Sequence, residues 1–416
     1  MASAKPAGRV ATCPPYAFFL LHACAAWPVG VVGLAVASSL VKAGVSVHQT
    51  AGIIAATSLA FTFEFIWAPM VDASLTRRLW FVVGAAVMCG CLAALLLAPW
   101  NAAAVPLMTT LAFASSSGAA IAAVAVKGIM AYDVPAAGLG AASGFYTAGG
   151  TFAKAVGGAG TLWLLTHLVD RTVAAALSTG AAALAGTAIL LALPRPPAPV
   201  RALRAKMLGT LAELWAFLRT PNGVLIAVMC VIPFGAGTEA GLIGAIAREW
   251  AVTPDQLALF SVLGAATSIA GAILGGWIST RIGPWNAYLL FGWSMICVMV
   301  GFAFSPRVAL YFIAVELCYR ALANASYATL LSIVMRAIGR GAASTKAAVM
   351  WSLANLAFAY PTLIEGAVHD RAGTFAMLWT DAALGVTGFG VLMVAMRVLK
   401  PGIHTLAAAA EAGKAK

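Results

Sequence analysis

The sequence predicts an all-α integral membrane protein of about twelve transmembrane helices, arranged as two pseudo-symmetric halves of six. Three observations carry this expectation. Of the 416 residues, 62% are hydrophobic and only 9% charged, whereas a soluble domain has roughly a quarter of its residues charged. Apolar runs of about 18 to 28 residues recur from Tyr16 to Val398, each long enough at 1.5 Å per residue to cross a hydrocarbon core of ~30 Å. Three local motifs also occur twice, at nearly one offset.

Twelve runs can be counted: 16–40, 50–71, 79–99, 103–126, 140–168, 172–193, 222–247, 256–280, 284–304, 308–335, 342–368 and 373–398. They divide the chain into an N-terminal half (1–193), a linker (194–221), a C-terminal half (222–398) and an expected flexible cytoplasmic tail (399–416). The first run follows a basic head, MASAKPAGRV, and contains His22 and Trp27-Pro28-Val29-Gly30. Its length predicts a retained helix and not a cleaved signal.

The second run carries Glu64, reaches Pro69, leaves the apolar region at Asp72 and meets the pair Arg77–Arg78. That makes a charged hinge at which a helix C-terminus and an anionic lipid surface both favour cations. The fourth run carries Ser115-Ser116-Ser117-Gly118 and the fifth opens with Gly138-Leu139-Gly140-Ala141-Ala142-Ser143. Such small residues let helix backbones approach closely. In the linker, Leu203, Met207, Leu211, Leu214, Trp215 and Leu218 recur at helical spacing between Arg and Lys, as in an amphipathic helix lying on the inner membrane surface. The seventh run holds Pro233-Phe234-Gly235, a break tolerated where backbone lines a cavity.

The net charge of +12 reflects topology and not nucleic-acid binding. With the N-terminus inside, about eighteen of the 25 Lys and Arg fall on the cytoplasmic side, among them Arg77, Arg78, Lys127, Arg195, Arg204, Lys206, Arg219, Arg281, Arg336 and Arg340. Lys42, Arg171, Arg248, Arg307 and Arg371 fall outside. Both termini and the linker are therefore expected in the cytoplasm. The seven cysteines read as small apolar packers, and no motif for phosphate cradling, zinc binding or nucleophilic catalysis is present. An enzyme is not expected, nor a cofactor.

The repeated motifs place the halves in parallel. Gly138-x-Gly140-Ala141-Ala142-Ser143 recurs 201 positions later as Gly339-x-Gly341-Ala342-Ala343-Ser344. Pro28-x-Gly30 recurs after 205 as Pro233-x-Gly235, and the Asp72 hinge after 208 as GGWISTRIG, with Thr280 in the place of the acid. A parallel duplication of six helices is the arrangement of the two halves of major facilitator transporters.

GGWISTRIG resembles the GxxxD(R/K)xG(R/K)(R/K) loop of the major facilitator superfamily, and the first copy keeps Asp72 and the arginines while Ala68 replaces its leading glycine. More narrowly, FEFIWAPMVD resembles the F-K-F-L-W-(A/S)-P-L-x-D segment of AmpG-type muropeptide permeases and their relatives, the RhtX/FptX-type siderophore permeases and acetyl-CoA transporters. Asp133-Val134-Pro135 and the glycine-rich helix ending in Leu162-Trp163-Leu164 are similar to the same group. Glu64 departs from it, standing where the pattern has a lysine. The resemblance implies the major facilitator fold in a bacterial inner membrane. It also implies import of a medium-sized organic solute, a siderophore or a cell-wall peptide fragment; twelve helices shift the weight toward the siderophore-type members.

Charges at mid-bilayer are costly and mark function. Lys154 lies some fourteen residues into the fifth run with no acid one turn away, and Glu316 and Arg320 lie one turn apart in the tenth. Glu239 stands in the seventh run and Glu64 in the second. Lys154 and Arg320, with Ser116 and Asn355, are the candidate substrate contacts, for an anionic or carboxylate-bearing solute. Glu239, Glu316 and Glu64 are candidates for proton coupling, and Asp72, Arg77, Arg78 and Arg281 for gating. Glu316–Arg320 also reads as an internal ion pair, and Glu64 as the partner of a basic residue near the inner surface. Glu365 and Asp381 read as solvated near the outer ends, and His22 as a hydrogen-bonded packer. The expected protein is a monomeric proton-driven symporter with lipids, protons and a small solute as partners. The alternatives are a non-transporting scaffold on the same fold and an efflux permease for amphipathic compounds.

Overall fold

The computed structural model describes residues 13–168, 170–192, 203–233, 246–339 and 341–399. No strand occurs among the described residues, and all the long elements are helices. The N-terminal half comprises α1 (Ala17–Lys42), α2 (Val47–Thr62 continuing as Glu64–Ala73), α3 (Arg77–Leu97), α4 (Ala102–Asp133), α5 (139–167) and α6 (Arg171–Leu191). The linker helix α7 is Leu203–Leu218. The C-terminal half follows with α8 (Pro221–Val231), α9 (Pro254–Ile282), α10 (Pro284–Ala303), α11 (Ala309–Ile338), α12 (343–372) and α13 (374–399). Each of the twelve apolar runs thus supplies a helix.

Local chemistry sets the boundaries. Ser46, Thr76 and Thr253 cap α2, α3 and α9 by accepting backbone N–H bonds from Gln49, Leu79 and Gln256, each at 3.2 Å. Pro221, Pro254 and Pro284 occupy first-turn positions whose N–H has no helical partner. Gly373, at φ 78°, breaks what is otherwise one helix from Ala343 to Leu399 into two spans, a backbone state that an L side chain strains. α2 bends by 40° at Phe63. Both α1 and α5 contain a π-helical stretch, Val31–Val36 and Ala153–Gly157.

Within the N-terminal half α1 packs on α5, α4 and α6, and α3 on α4 and α6. Across the halves, α5 lies against α9 and α11, while α2 and α4 lie against α12. The hinge loop after α2, the linker helix and the starts of α5 and α12 gather at one end of the bundle, called here the linker end. Of the apolar stripe that its spacing predicts, α7 leaves Leu211 and Trp215 exposed and Met207, Leu214 and Leu218 half-buried, and it tucks Phe217 and Thr210 against the bundle.

Two sequence expectations are corrected. Lys127, assigned to a cytoplasmic loop, lies inside α4 and is fully buried; α4 extends a further two turns past the end of its apolar run, as far as Asp133. Glu365 and Asp381, expected to be solvated, are 0% and 4% exposed, because α12 and α13 pack them into the C-terminal half, where the Tyr319 hydroxyl donates to Asp381 Oδ2 at 3.4 Å.

At the linker end α5 and α9 meet backbone to backbone. A Cβ on Gly144 would stand 2.7 Å from the Ala272 carbonyl oxygen, and one on Gly276 2.9 Å from the Gly144 Cα. No side chain fits there, so only glycine brings the halves this close. Gly276→Val is expected to hold the halves apart at this end without unfolding either. Spin labels at Leu75 and Ile282 should report a longer distance in that variant and an unchanged one in Gly301→Val, where a Cβ meets nothing within 4 Å.

Candidate functional site

The seam between the halves carries three polar layers, stacked from the linker end inward. In the outermost layer Asp72, at the end of α2, accepts from Arg77 Nη2 at 3.0 Å. Its other oxygen reaches the opposite half, accepting from the Thr345 backbone N–H at 2.8 Å and from Thr345 Oγ1 at 3.0 Å. Thr345 is in the first turn of α12, so Asp72 places its charge on a helix N-terminus whose dipole favours an anion. Arg77 in turn lies 3.9 Å over the Tyr132 ring. The linker helix lies over this clasp and with it forms an open cleft of about 350 Å³ lined in part by Lys206, Glu213, Asp72, Arg77, Tyr132 and Gly341.

The second layer lies about 12 Å deeper, eight residues up α2 at 1.5 Å each. Glu64 begins the segment after the bend and forms an ion pair with Lys127 of α4. Both are wholly buried, at 1% and 0% exposure. The other half closes the layer: the Lys127 ammonium faces the Trp351 ring at 5.3 Å, and Trp351 packs on Tyr327 with ring centres 4.7 Å apart. Ser352 Oγ donates to the Thr62 carbonyl at 2.9 Å, at the bend itself. Removing either member of such a buried pair typically costs ~3–5 kcal/mol.

The third layer is central. Thr151 Oγ1 of α5 donates to Asn324 Oδ1 of α11 at 3.3 Å, joining the halves. α5 runs away from the linker end and α11 toward it, so Lys154, three residues after Thr151, and Arg320, four before Asn324, lie at one level, about one turn (~5 Å) beyond that bond. Lys154 is exposed and sits in the π-helical stretch of α5. Its backbone abuts Gly30 of α1, just before the π-helical stretch of that helix. Paired π distortions at one crossing are a common mark of a functional site. Arg320 Nε donates to Glu316 Oε1 at 2.6 Å, while Glu316 Oε2 has no hydrogen-bond partner.

The remaining candidates are more scattered. Ser116 is buried in α4 on the face of Lys127, three turns away. Asn355 is half-buried one turn beyond Trp351 on α12. Arg78 is half-buried beside the clasp. Arg281 is exposed and stacks 4.9 Å over Trp277 of its own helix, so the α5–α9 contact is made by glycines without it. Glu239, Arg340 and the tail lie outside the described residues. His22 packs as expected: its Nδ1 is 2.6 Å from the Tyr146 carbonyl and its ring stacks on Tyr146 at 3.6 Å. Among the described residues no group of His, Cys, Asp and Glu could hold a metal.

Sequence reasoning missed Thr345, Lys127, Trp351 and the Thr151–Asn324 bond. Thr345 directly follows the repeated Gly-x-Gly-Ala-Ala-Ser motif, which was the available signal. Nothing in one dimension pairs positions 63 or 173 residues apart.

Two helical halves clasped at one end, with charges in mid-bundle, are an arrangement that a secondary transporter needs. The family profile of the Major Facilitator Superfamily matches residues 18–360, and the chain belongs to that superfamily. No curated protein sequence matches it. In fold it is similar to the E. coli fucose:proton symporter, with a TM-score of 0.68, 16% identity, and 92% of this chain and 97% of that one covered. It is likewise similar to a bacterial homologue of the iron transporter ferroportin in an outward-facing state, at TM-score 0.65, 14% identity, and 92% and 98% coverage. The human organic anion transporter MFSD10 matches at TM-score 0.63, 18% identity, and 93% and 100% coverage.

Asp72→Asn keeps the side-chain shape and removes the charge from the α12 N-terminus. It is expected to weaken the clasp by ~1 kcal/mol, about a fivefold shift toward separated halves. Thr345→Val, which retains the backbone N–H, should have the smaller effect. The Leu75–Ile282 label distance measures both; equal populations in Asp72→Asn and the parent would remove the electrostatic account of the clasp.

Proposed function

We propose that the protein is an ion-gradient-driven importer of a medium-sized anionic or carboxylate-bearing organic solute, of the siderophore or muropeptide kind. The observation that carries the reading is the level placement of Lys154 and Arg320 on facing helices of opposite halves. Two cations at one level on facing helices match a solute with at least one carboxylate, and a site shared by both halves is rebuilt each time they rock. Glu316, held by Arg320 on one oxygen only, is positioned to take a proton when the solute's carboxylate competes for that guanidinium. Glu239 and Glu64 are the other proton candidates. The AmpG-like segment around Glu64 adds the solute class, and proton coupling completes the symport.

Two internally paired charge sets, Glu64–Lys127 and Glu316–Arg320, are also what a closed scaffold would contain. The exposure of Lys154 favours transport, since a residue exposed at the level of the central layer is within reach of a solute. The linker end, with Arg77, Arg78, Lys206, Arg219, Arg281 and Arg336, is assigned to the cytoplasm of a bacterial inner membrane by the positive-inside rule. Reporter fusions after Lys42, Arg171 and Arg371 should then be external, and those after Arg78 and Arg340 internal. A reversed pattern at any two sites would overturn this orientation.

Lys154→Ala is expected to abolish uptake while the protein still folds and inserts, and Lys154→Arg to restore it only in part, since a planar fork does not replace a point charge. The solute is found by thermal stabilisation of the purified protein across siderophores, muropeptides and acyl carriers. Stabilisation by one of them that vanishes in Lys154→Ala supports the site; normal uptake by that variant, or its unfolding, removes it.

A further inference from the structure

The Glu64–Lys127 pair serves neither the clasp nor the central layer, yet it lies on the seam between them. It belongs wholly to the N-terminal half, on α2 and α4. On the side of the seam its cover comes from the other half: Trp351 over the ammonium, Tyr327 behind Trp351, and Ser352 bonded to the Thr62 carbonyl at the bend. Separation of the halves at the linker end withdraws all three together and opens the pair to the path from the central layer. Glu64 holds Lys127 with one oxygen and leaves Oε2 without a hydrogen-bond partner. A purely structural pair in a bundle interior is more stable with its remaining valences satisfied, or replaced by apolar packing.

We propose that Lys127 is a second, inner anion-binding subsite, occupied in the closed state by Glu64 and taken over by the solute's anionic group as the linker end opens. This rests on the anionic-solute reading above and adds the exit route to it. In the exchange the solute's anion pairs with the ammonium and displaces the Glu64 carboxylate, which takes one proton from water. The proton ends on a Glu64 oxygen and no covalent bond within the solute changes; the layer's own charge rises by one, from a neutral ion pair to a lone ammonium, and the solute's anionic group balances it. The ionisable groups facing the pair are Tyr146 on α5, Tyr327 on α11 and, toward Lys127, His22 on α1. Among the described residues none of these is a carboxylate, so there Glu64 is the competitor of the incoming anion.

The test uses naphthalene-2-sulfonate, an organic anion that keeps its charge at all working pH, with the neutral naphthalene-2-sulfonamide as control. Binding is measured by equilibrium dialysis on full-length protein carrying Asp72→Asn, which loosens the clasp. Adding Glu64→Gln removes the internal competitor, and sulfonate binding is expected to tighten about tenfold or more. Lys127→Met should erase that gain and Lys154→Ala should leave it. A gain that survives Lys127→Met, or is absent, overturns the subsite. Lys154→Ala erasing the gain instead assigns the extra binding to the central layer, which overturns the subsite and leaves the proposed function standing. If Glu64→Gln does not fold, Trp351→Ala uncovers the intact pair. Sulfonate binding is then coupled to proton uptake and tightens by up to about tenfold per unit fall in pH. Binding to that variant without pH dependence, or with the same pH dependence after Lys127→Met, likewise overturns the proposal.

Discussion

A charge withdrawn from water must meet an opposite charge, a dipole or a wet cavity, and each polar feature of this seam is a solution to that requirement. Glu64 meets Lys127 and Glu316 meets Arg320. Asp72 meets Arg77 and the dipole of α12. Lys154 alone among these stays exposed. The solutions differ in which half supplies the partner. Glu64–Lys127 and Glu316–Arg320 are each internal to one half, so parting the halves does not by itself pull them apart. Asp72–Thr345 and Thr151–Asn324 cross the seam, so they must break for the halves to part.

The duplicated hinge has diverged in mechanism while keeping its place. In the first copy a carboxylate reaches the opposite helix N-terminus. In the second Thr280 stands at the corresponding position, and its hydroxyl donates back to Trp277 of its own helix at 2.6 Å. Closure there is left to Gly140, Gly144 and Gly276, whose backbones touch. One contact is electrostatic and responds to charge; the other is steric and responds only to volume.

The sequence determined the fold class, because apolar length and composition respond to a bilayer whatever the neighbours are. It determined the parallel duplication, because punctuation by glycine and proline is a local backbone property that survives divergence. It also marked Lys154, Arg320, Glu316, Glu239 and Glu64 as residues out of place in hydrocarbon, and Asp72 as the charge of a hinge. It could not assign their partners. Lys127 sat just past the end of an apolar run and looked like a loop cation. Glu365 and Asp381 looked solvated near the ends of theirs. In each case burial depends on which helices pack over the position, a long-range fact with no local signature. The tertiary structure alone decided that Asp72 caps a helix 273 residues away, that Trp351 covers a pair it does not belong to, and that Lys154 and Arg320 share a level. Pairing in space is set by helix register across the seam, and register is fixed only when both halves are packed.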